Sequence, residues 1–108
     1  MGNLKPNEIE ALQELKETLA REFRLVELRL FGSKARGDSR RESDIDVLIV
    51  LEELNRGIRK RVSAICCDLS IDHHILIAPI LYSRSEFASD LTRVTPFYQN
   101  VESEAVTI

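Results

Sequence analysis

The chain has no tryptophan, two cysteines, three prolines and four glycines in 108 residues. So little proline and glycine excludes a collagen-like or low-complexity polymer. The cysteines, Cys66 and Cys67, are adjacent, which makes neither a disulfide framework nor a metal-ligand spacing; they read as small core thiols in a reducing compartment. No apolar run approaches the about 18 residues of a membrane span, and Met1 to Pro6 lacks the apolar stretch of a secretion signal. An excess of positive charge is missing too: 15 Lys and Arg stand against 18 Asp and Glu, a net charge of -3, which argues against binding duplex DNA through overall charge. The expectation is a cytoplasmic protein with no membrane association.

What is present is an ordinary globular balance, 44% apolar and 31% charged. A chain of this length is expected to form a single domain over 1–108 and to bury roughly two thirds of its surface. Ile9, Leu12, Leu15, Leu19 and Phe23 recur at helical spacing, and the helix starts either with an Asn7/Glu10 capping box or with Pro6 after a cap at Lys5. Residues 25–31 alternate as a strand, with Val26, Leu28 and Leu30 expected on one face and Leu25, Glu27, Arg29 and Phe31 on the other. Ile45 to Leu51 is apolar except for Asp46, as in a central strand covered on both faces. Asn55 to Leu69 predicts a second helix, with Asp68 and Asp72 at its end and in the following turn. Ile75 to Tyr82 predicts a third strand, which Pro79 assigns to an edge or a bulge. Short helices are expected near Ser85 and over 94–104, and residues 105–108 read as a short extended piece. The order implies a small α/β or α+β domain.

The chemistry concentrates in residues 31–50, where Lys34, Arg36, Arg40 and Arg41 mix with Asp38, Glu42, Asp44 and Asp46. Gly32 follows a strand and has no Cβ, so backbone there can approach a bulky anion. A helix starting at Ser33 or Lys34 would turn free N–H groups toward phosphate oxygens beside the Ser33 hydroxyl. Arg36 reads as a further phosphate contact; Arg40 and Arg41 read equally well as solvated surface. Asp44 and Asp46 stand two apart at a strand start, which aims both carboxylates to one side. Their mutual repulsion is offset by a cation such as Mg²⁺, which takes carboxylate and phosphate oxygens. Alone, each half is an ordinary turn or a pair of surface acids; together, between two apolar strands, they suggest a phosphate cradle facing a metal clamp.

Gly32-Ser33, then Ala35-Arg36-Gly37, then Ser43-Asp44-Ile45-Asp46 resembles the signature of the minimal nucleotidyltransferases of the DNA polymerase beta-like superfamily. The resemblance implies a small mixed sheet flanked by helices, binding of a nucleoside triphosphate with Mg²⁺, and transfer of a nucleoside monophosphate. It implies that Gly32 and Ser33 hold the triphosphate and that Asp44 and Asp46 ligate metal. It also implies a third carboxylate from a later strand, as metal ligand and general base. The matching strand here, Ile75 to Leu81, contains no acid, and the equivalent position falls at Ala78 or within a residue of it. Either Asp72 reaches the site as the third acid or that acid is absent; His73 and His74 are alternative bases, or a surface histidine beside a partly packed one.

Two functions follow from the resemblance. One is a Mg²⁺-dependent nucleotidyltransferase that moves AMP from ATP to a protein or other acceptor. The other is a catalytically weak or inactive nucleotide-binding antitoxin that neutralises a HEPN-domain partner by binding it, since small members of this family are often paired with such proteins. Either way 108 residues leave little chain for recognising an acceptor, which points to a partner or a homo-oligomer.

Overall fold

The computed structural model describes residues 4–31, 44–89 and 106–108. Helix α1 spans Pro6–Glu22, with Pro6 in the first turn and Lys5 as N-cap. Of the two starts open to the sequence this one costs nothing in hydrogen bonds, because a first-turn N–H has no partner inside the helix. The Lys5 N–H donates to Glu8 Oε1 at 2.8 Å, which seats a buried carboxylate at the positive end of the helix. Ala11, Leu12, Leu15 and Leu19 line the inner face and are fully buried.

Strand β1 (Leu25–Phe31) pairs antiparallel with β2 (Ile45–Leu51). Helix α2 (Arg56–His73) then crosses back to β3 (Ile77–Ser83), which runs parallel to β2. A single turn, α3 (Arg84–Phe87), follows, and β4 (Val106–Thr107) pairs antiparallel with β1. The sheet is mixed, in the order β3-β2-β1-β4. The described part of 105–108 is thus extended, as the sequence suggests; the helix expected over 94–104 lies outside the described residues.

β2 divides the core. Ile45, Val47, Ile49 and Leu51 pack with Leu12, Leu15 and Leu19 of α1 and with Val62, Ile65 and Leu69 of α2. Leu48 and Val50 face the other way, against Phe87, Ile80 and Tyr82. Both helices therefore lie on one face of the sheet, and α3 caps part of the other. The helices are tied to each other by Arg61, whose Nε and Nη2 donate to the two Glu22 carboxylate oxygens at 2.8 Å each, and at their other ends by Asn7 Nδ2 donating to the His73 carbonyl at 2.9 Å. That guanidinium holds Glu22 below the usual carboxylate range.

Four expectations are corrected. A bulge between Leu25 and Glu27 breaks the alternation of β1, so Leu25 packs on the helix-side core beside Leu28 and Leu30 while Val26 is 39% exposed. One extra residue flips every side chain before it. Helix α2 runs on past Leu69 to His73, so Asp68 and Asp72 are helical, and it stops because His74 turns left-handed at φ 56°. His73 and His74 accordingly stand at a helix end rather than a strand start; His73 Nε2 lies 2.8 Å from Glu14 Oε2 and is half-buried, while His74 is exposed. Cys66 is in the core but Cys67 is exposed, because adjacent helical residues point about 100° apart.

Among the described residues Pro79 does sit on an edge strand. Ile45 N–H donates to the Leu76 carbonyl at 2.8 Å, a phase that turns the odd-numbered N–H groups of β3 outward. Ser70 Oγ accepts from Ile77 N–H at 3.1 Å, Glu86 Oε1 accepts from Ser83 N–H at 3.2 Å, and Pro79 has no N–H. This edge offers little to an incoming strand.

The bulge sets a testable asymmetry: Leu25→Ala should cost about 2–3 kcal/mol in urea unfolding and Val26→Ala less than about 0.5, the reverse of what plain alternation demands. Burial pushes the Cys66 thiol up to about 11, against an ordinary value of 9.0. Between those values the unfolded chain has lost this proton and the folded one keeps it, so the stabilisation is complete below about pH 9 and falls as pH rises through 11, by at most about 3 kcal/mol. Urea midpoints at pH 8 and 10.5 should therefore fall more steeply in the parent than in Cys66→Ala; equal slopes would contradict the assignment.

Candidate functional site

Asp46 lies on β2 among residues buried on both sides, and its position in the strand decides which way it faces. The odd residues of β2 contact α1 and α2, so Asp46 belongs to the opposite face, with Leu48 and Val50. It is half-buried. Asp44 immediately precedes the strand, is exposed, and keeps the same parity. Asp46 is thus placed at one end of the central strand with the parity of the face away from the two long helices, and Asp44 precedes it by two residues.

Cross-strand partners complete the floor. Phe31, the last residue of β1, pairs with Asp46. Gly32 follows Phe31 directly in the chain, but Gly32, Ser33 and Arg36 lie outside the described residues. On the other side Asp46 is in register with Ala78 of β3. Residues in register on parallel strands face the same side, so the side chain beside Asp46 where a third carboxylate would come from is a methyl group. Asp72 is exposed in the last turn of α2, and that helix packs on the opposite face of the sheet. The helix that carries Asp72 and the side chain of Asp46 therefore belong to opposite faces of the sheet.

The alternation of β1 also brings a cation to this face. Arg29 pairs with Leu48, which makes it a diagonal neighbour of Asp46, and its Nη2 lies 3.0 Å from Glu27 Oε1. Glu27 Oε2 is buried with no hydrogen-bond partner among the described residues. The sequence held the signal for Arg29, since it shares the parity of Phe31, but an exposed-looking Glu-x-Arg in a strand is not distinctive.

The donor set fits a hard divalent cation only in one manner. Among the described residues no three His, Cys, Asp or Glu side chains gather into a metal cage. Two carboxylates two residues apart at a strand mouth suit Mg²⁺ that draws its other oxygens from water and a phosphate ligand. A cleft of about 690 Å³ between Arg21, Phe23, Arg24, Glu52 and Ile58 opens at the other end of β2, away from both acids. It mixes charges of both signs and carries no comparable chemistry.

Known proteins share this fold. The family described as Nucleotidyltransferase domain matches residues 12–95. A protein of Methanocaldococcus jannaschii named "Putative protein adenylyltransferase MJ0141" is 34% identical over 103 residues, which span 93% of this chain and 97% of that one. A solved structure described as a "putative minimal nucleotidyltransferase" superposes with a TM-score of 0.62 at 24% identity, covering 93% of this chain and 92% of the other. One from Sulfolobus solfataricus, described as a "putative nucleotidyltransferase", has a TM-score of 0.52 at 26% identity over 91% of this chain and 76% of its own. A toxin-antitoxin structure with AMP-PNP shares the fold at a TM-score of 0.56 and 22% identity, covering 91% of this chain and 69% of the other. With its mixed sheet, its one-sided helices and a family match that runs from α1 past β3, this chain belongs to the nucleotidyltransferase domain family.

Proposed function

We propose that this chain is a Mg²⁺-dependent nucleotidyltransferase that transfers AMP from ATP to a protein acceptor. The observation that carries the reading is Asp46 at the mouth of β2, with the parity of the face away from α1 and α2, with Asp44 two residues before it and the end of β1 that leads into Gly32-Ser33 beside it. The M. jannaschii relative, named as a protein adenylyltransferase, supports AMP as the transferred group and protein as the acceptor. Asp44 and Asp46 would hold the metal, which when bound supplies Lewis-acid stabilisation of charge on the phosphates. Gly32, Ser33 and Arg36 would hold the triphosphate. Arg29, fixed by Glu27 one diagonal step from Asp46, adds positive potential where anionic substrate arrives.

Ala78 favours a second reading. With a methyl group in register with Asp46, no carboxylate stands on β3 to accept the proton of an attacking hydroxyl, so transfer is expected to be slow or to need a group from a partner. In the limit the chain binds nucleotide and acts as an antitoxin by covering a HEPN-domain partner.

Calorimetry of ATP binding with and without Mg²⁺ tests the acids. The parent should bind more tightly with magnesium, and Asp44→Ala and Asp46→Ala should each lose at least about tenfold of that enhancement. If both variants keep the parental metal dependence, the clamp is wrongly assigned. Transfer of labelled AMP in the parent, Ala78→Asp and Asp72→Asn tests the third acid: gain with Ala78→Asp and indifference to Asp72→Asn are expected. Collapse of transfer in a folded Asp72→Asn would instead make Asp72 the recruited carboxylate. Nucleotide binding without transfer, even with a partner present, would bring the antitoxin reading forward.

A further inference from the structure

Helix α2 sorts its charges by arc. Arg61, Asp68 and Asp72 follow one another at spacings of seven and four along the flank turned to α1, where Glu22 takes Arg61. Arg56, Lys60, Ser63, Cys67 and Ile71 follow one another at spacings of three and four along a different arc, all of them exposed. Arg59, also exposed, stands beside that stripe, three residues from Arg56 and four from Ser63. The stripe carries cations and no acid. Arg56, Arg59 and Lys60 have no hydrogen-bond or ion-pair partner among the described residues. They crowd the positive end of the helix dipole, so the fold gains nothing from them there.

Past its cations the stripe becomes the wall of an apolar groove between α2 and β3. The groove holds about 400 Å³ and is lined by Ser63, Cys67, Ile71, Leu76, Ile77 and Pro79. Ile71 is 67% exposed and Leu76 57%; of the large apolar side chains exposed among the described residues, only Val26 lies elsewhere. This groove opens at the level of the candidate site. Ile77 is in register with Ile45, whose N–H donates to the Leu76 carbonyl, and Asp44 and Asp46 flank Ile45 in the chain.

We propose that this stripe and groove dock an amphipathic helix of a protein partner, acidic where it passes Arg56, Arg59 and Lys60 and apolar where it passes Ile71 and Leu76. The inference rests on the reading of a protein acceptor given above: the partner is that acceptor, held at the strand next to Asp46. From Arg56 to Ile71 the stripe runs about 23 Å, the length of roughly four turns of a partner helix. Carboxylates over the three cations would give charge complementarity, and leucine-sized side chains at spacings of three and four would fill the groove. An extended segment is the poorer occupant, because Pro79 and the engaged N–H groups of Ile77 and Ser83 leave the β3 edge few donors. A nucleic acid would gain nothing from Ile71 and Leu76. An anionic bilayer would meet the same charges, but its flat surface does not enter a groove between a helix and a strand.

Selection of displayed random peptides, each about four helical turns long, against the whole chain supplies the probe, and fluorescence anisotropy of a synthesised selected peptide reads its affinity. The selected sequences should carry apolar residues at spacings of three and four, with Asp and Glu toward one end. Ile71→Gln/Leu76→Gln and Arg56→Glu/Arg59→Glu/Lys60→Glu should each raise the dissociation constant by about tenfold or more, with circular dichroism checking that these exposed substitutions leave the fold intact. A peptide whose acids are replaced by lysine should bind the charge-reversed variant within about threefold of the original pair. Selected peptides without acids, affinity indifferent to both variants, no rescue by the lysine peptide, or no peptide tighter than about 100 μM would each overturn the proposal. Binding of the chain to anionic phosphatidylserine vesicles, lost in both variants while no peptide binds, would assign the face to a membrane surface instead. Calorimetry with ATP and Mg²⁺ separates the two readings: both variants should bind nucleotide as the parent does, and a parent that binds none refutes the transferase while the peptide result still decides the docking surface.

Discussion

The parity of β2 is the constraint on which the rest depends. Seven residues, all but one apolar, have to satisfy two cores, and period two allots Ile45, Val47, Ile49 and Leu51 to the helix side and Leu48 and Val50 to the other. Asp46 is tolerated in such a strand only because it stands at the end where the second core has not begun. A shift of one residue in register would bury that carboxylate under α1 and α2 without a partner, at a cost of several kcal/mol. The same parity that makes the core therefore aims the acid outward, and fold and proposed site are one solution.

The partners of β2 extend this logic sideways. An antiparallel neighbour brings the end of β1, and with it the approach to Gly32, to the level of Asp46; a parallel neighbour brings Ala78 to the same level. The parallel pairing is possible because α2 carries the chain back along the sheet before β3 begins. That crossover also keeps Asp68 and Asp72 on the far side of the sheet. Proximity in sequence to β3 does not bring Asp72 to Asp46, since a helix packed on one face holds its acids there.

Much of this was legible because it rests on periodicity. The three longer strands, both long helices, the edge position of Pro79 and the fold class follow from the spacing of apolar residues and from one proline. The glycine, serine and aspartates pointed to the family because they fall within a short stretch between two such strands. What was not legible has specific causes. The bulge at Val26 is set by how β1 must twist to meet Leu51 and Val50, and the string Leu-Val-Glu-Leu carries no trace of it. The last turn of α2 leaves the core after Leu69, so apolar periodicity ends there although the helix does not. Whether Cys67 is buried depends on which arc of α2 the sheet covers, and two adjacent cysteines look alike until the arc is known. The register of Asp46 with Ala78 is a relation between strands separated by a helix, and no local pattern encodes it.

Charge placement divides along the same line. Where a charge serves the fold it follows helix electrostatics, as with Glu8 at the start of α1. On α2 the order is reversed, with Arg56, Arg59, Lys60 and Arg61 in the N-terminal half and Asp68 and Asp72 in the C-terminal half, and the fold answers part of it: Glu22 of α1 takes Arg61, and Glu14 meets His73 at the other end. Asp46 has the parity of the opposite face of the sheet, so these paired helix charges serve the packing of α1 on α2 and not the proposed site.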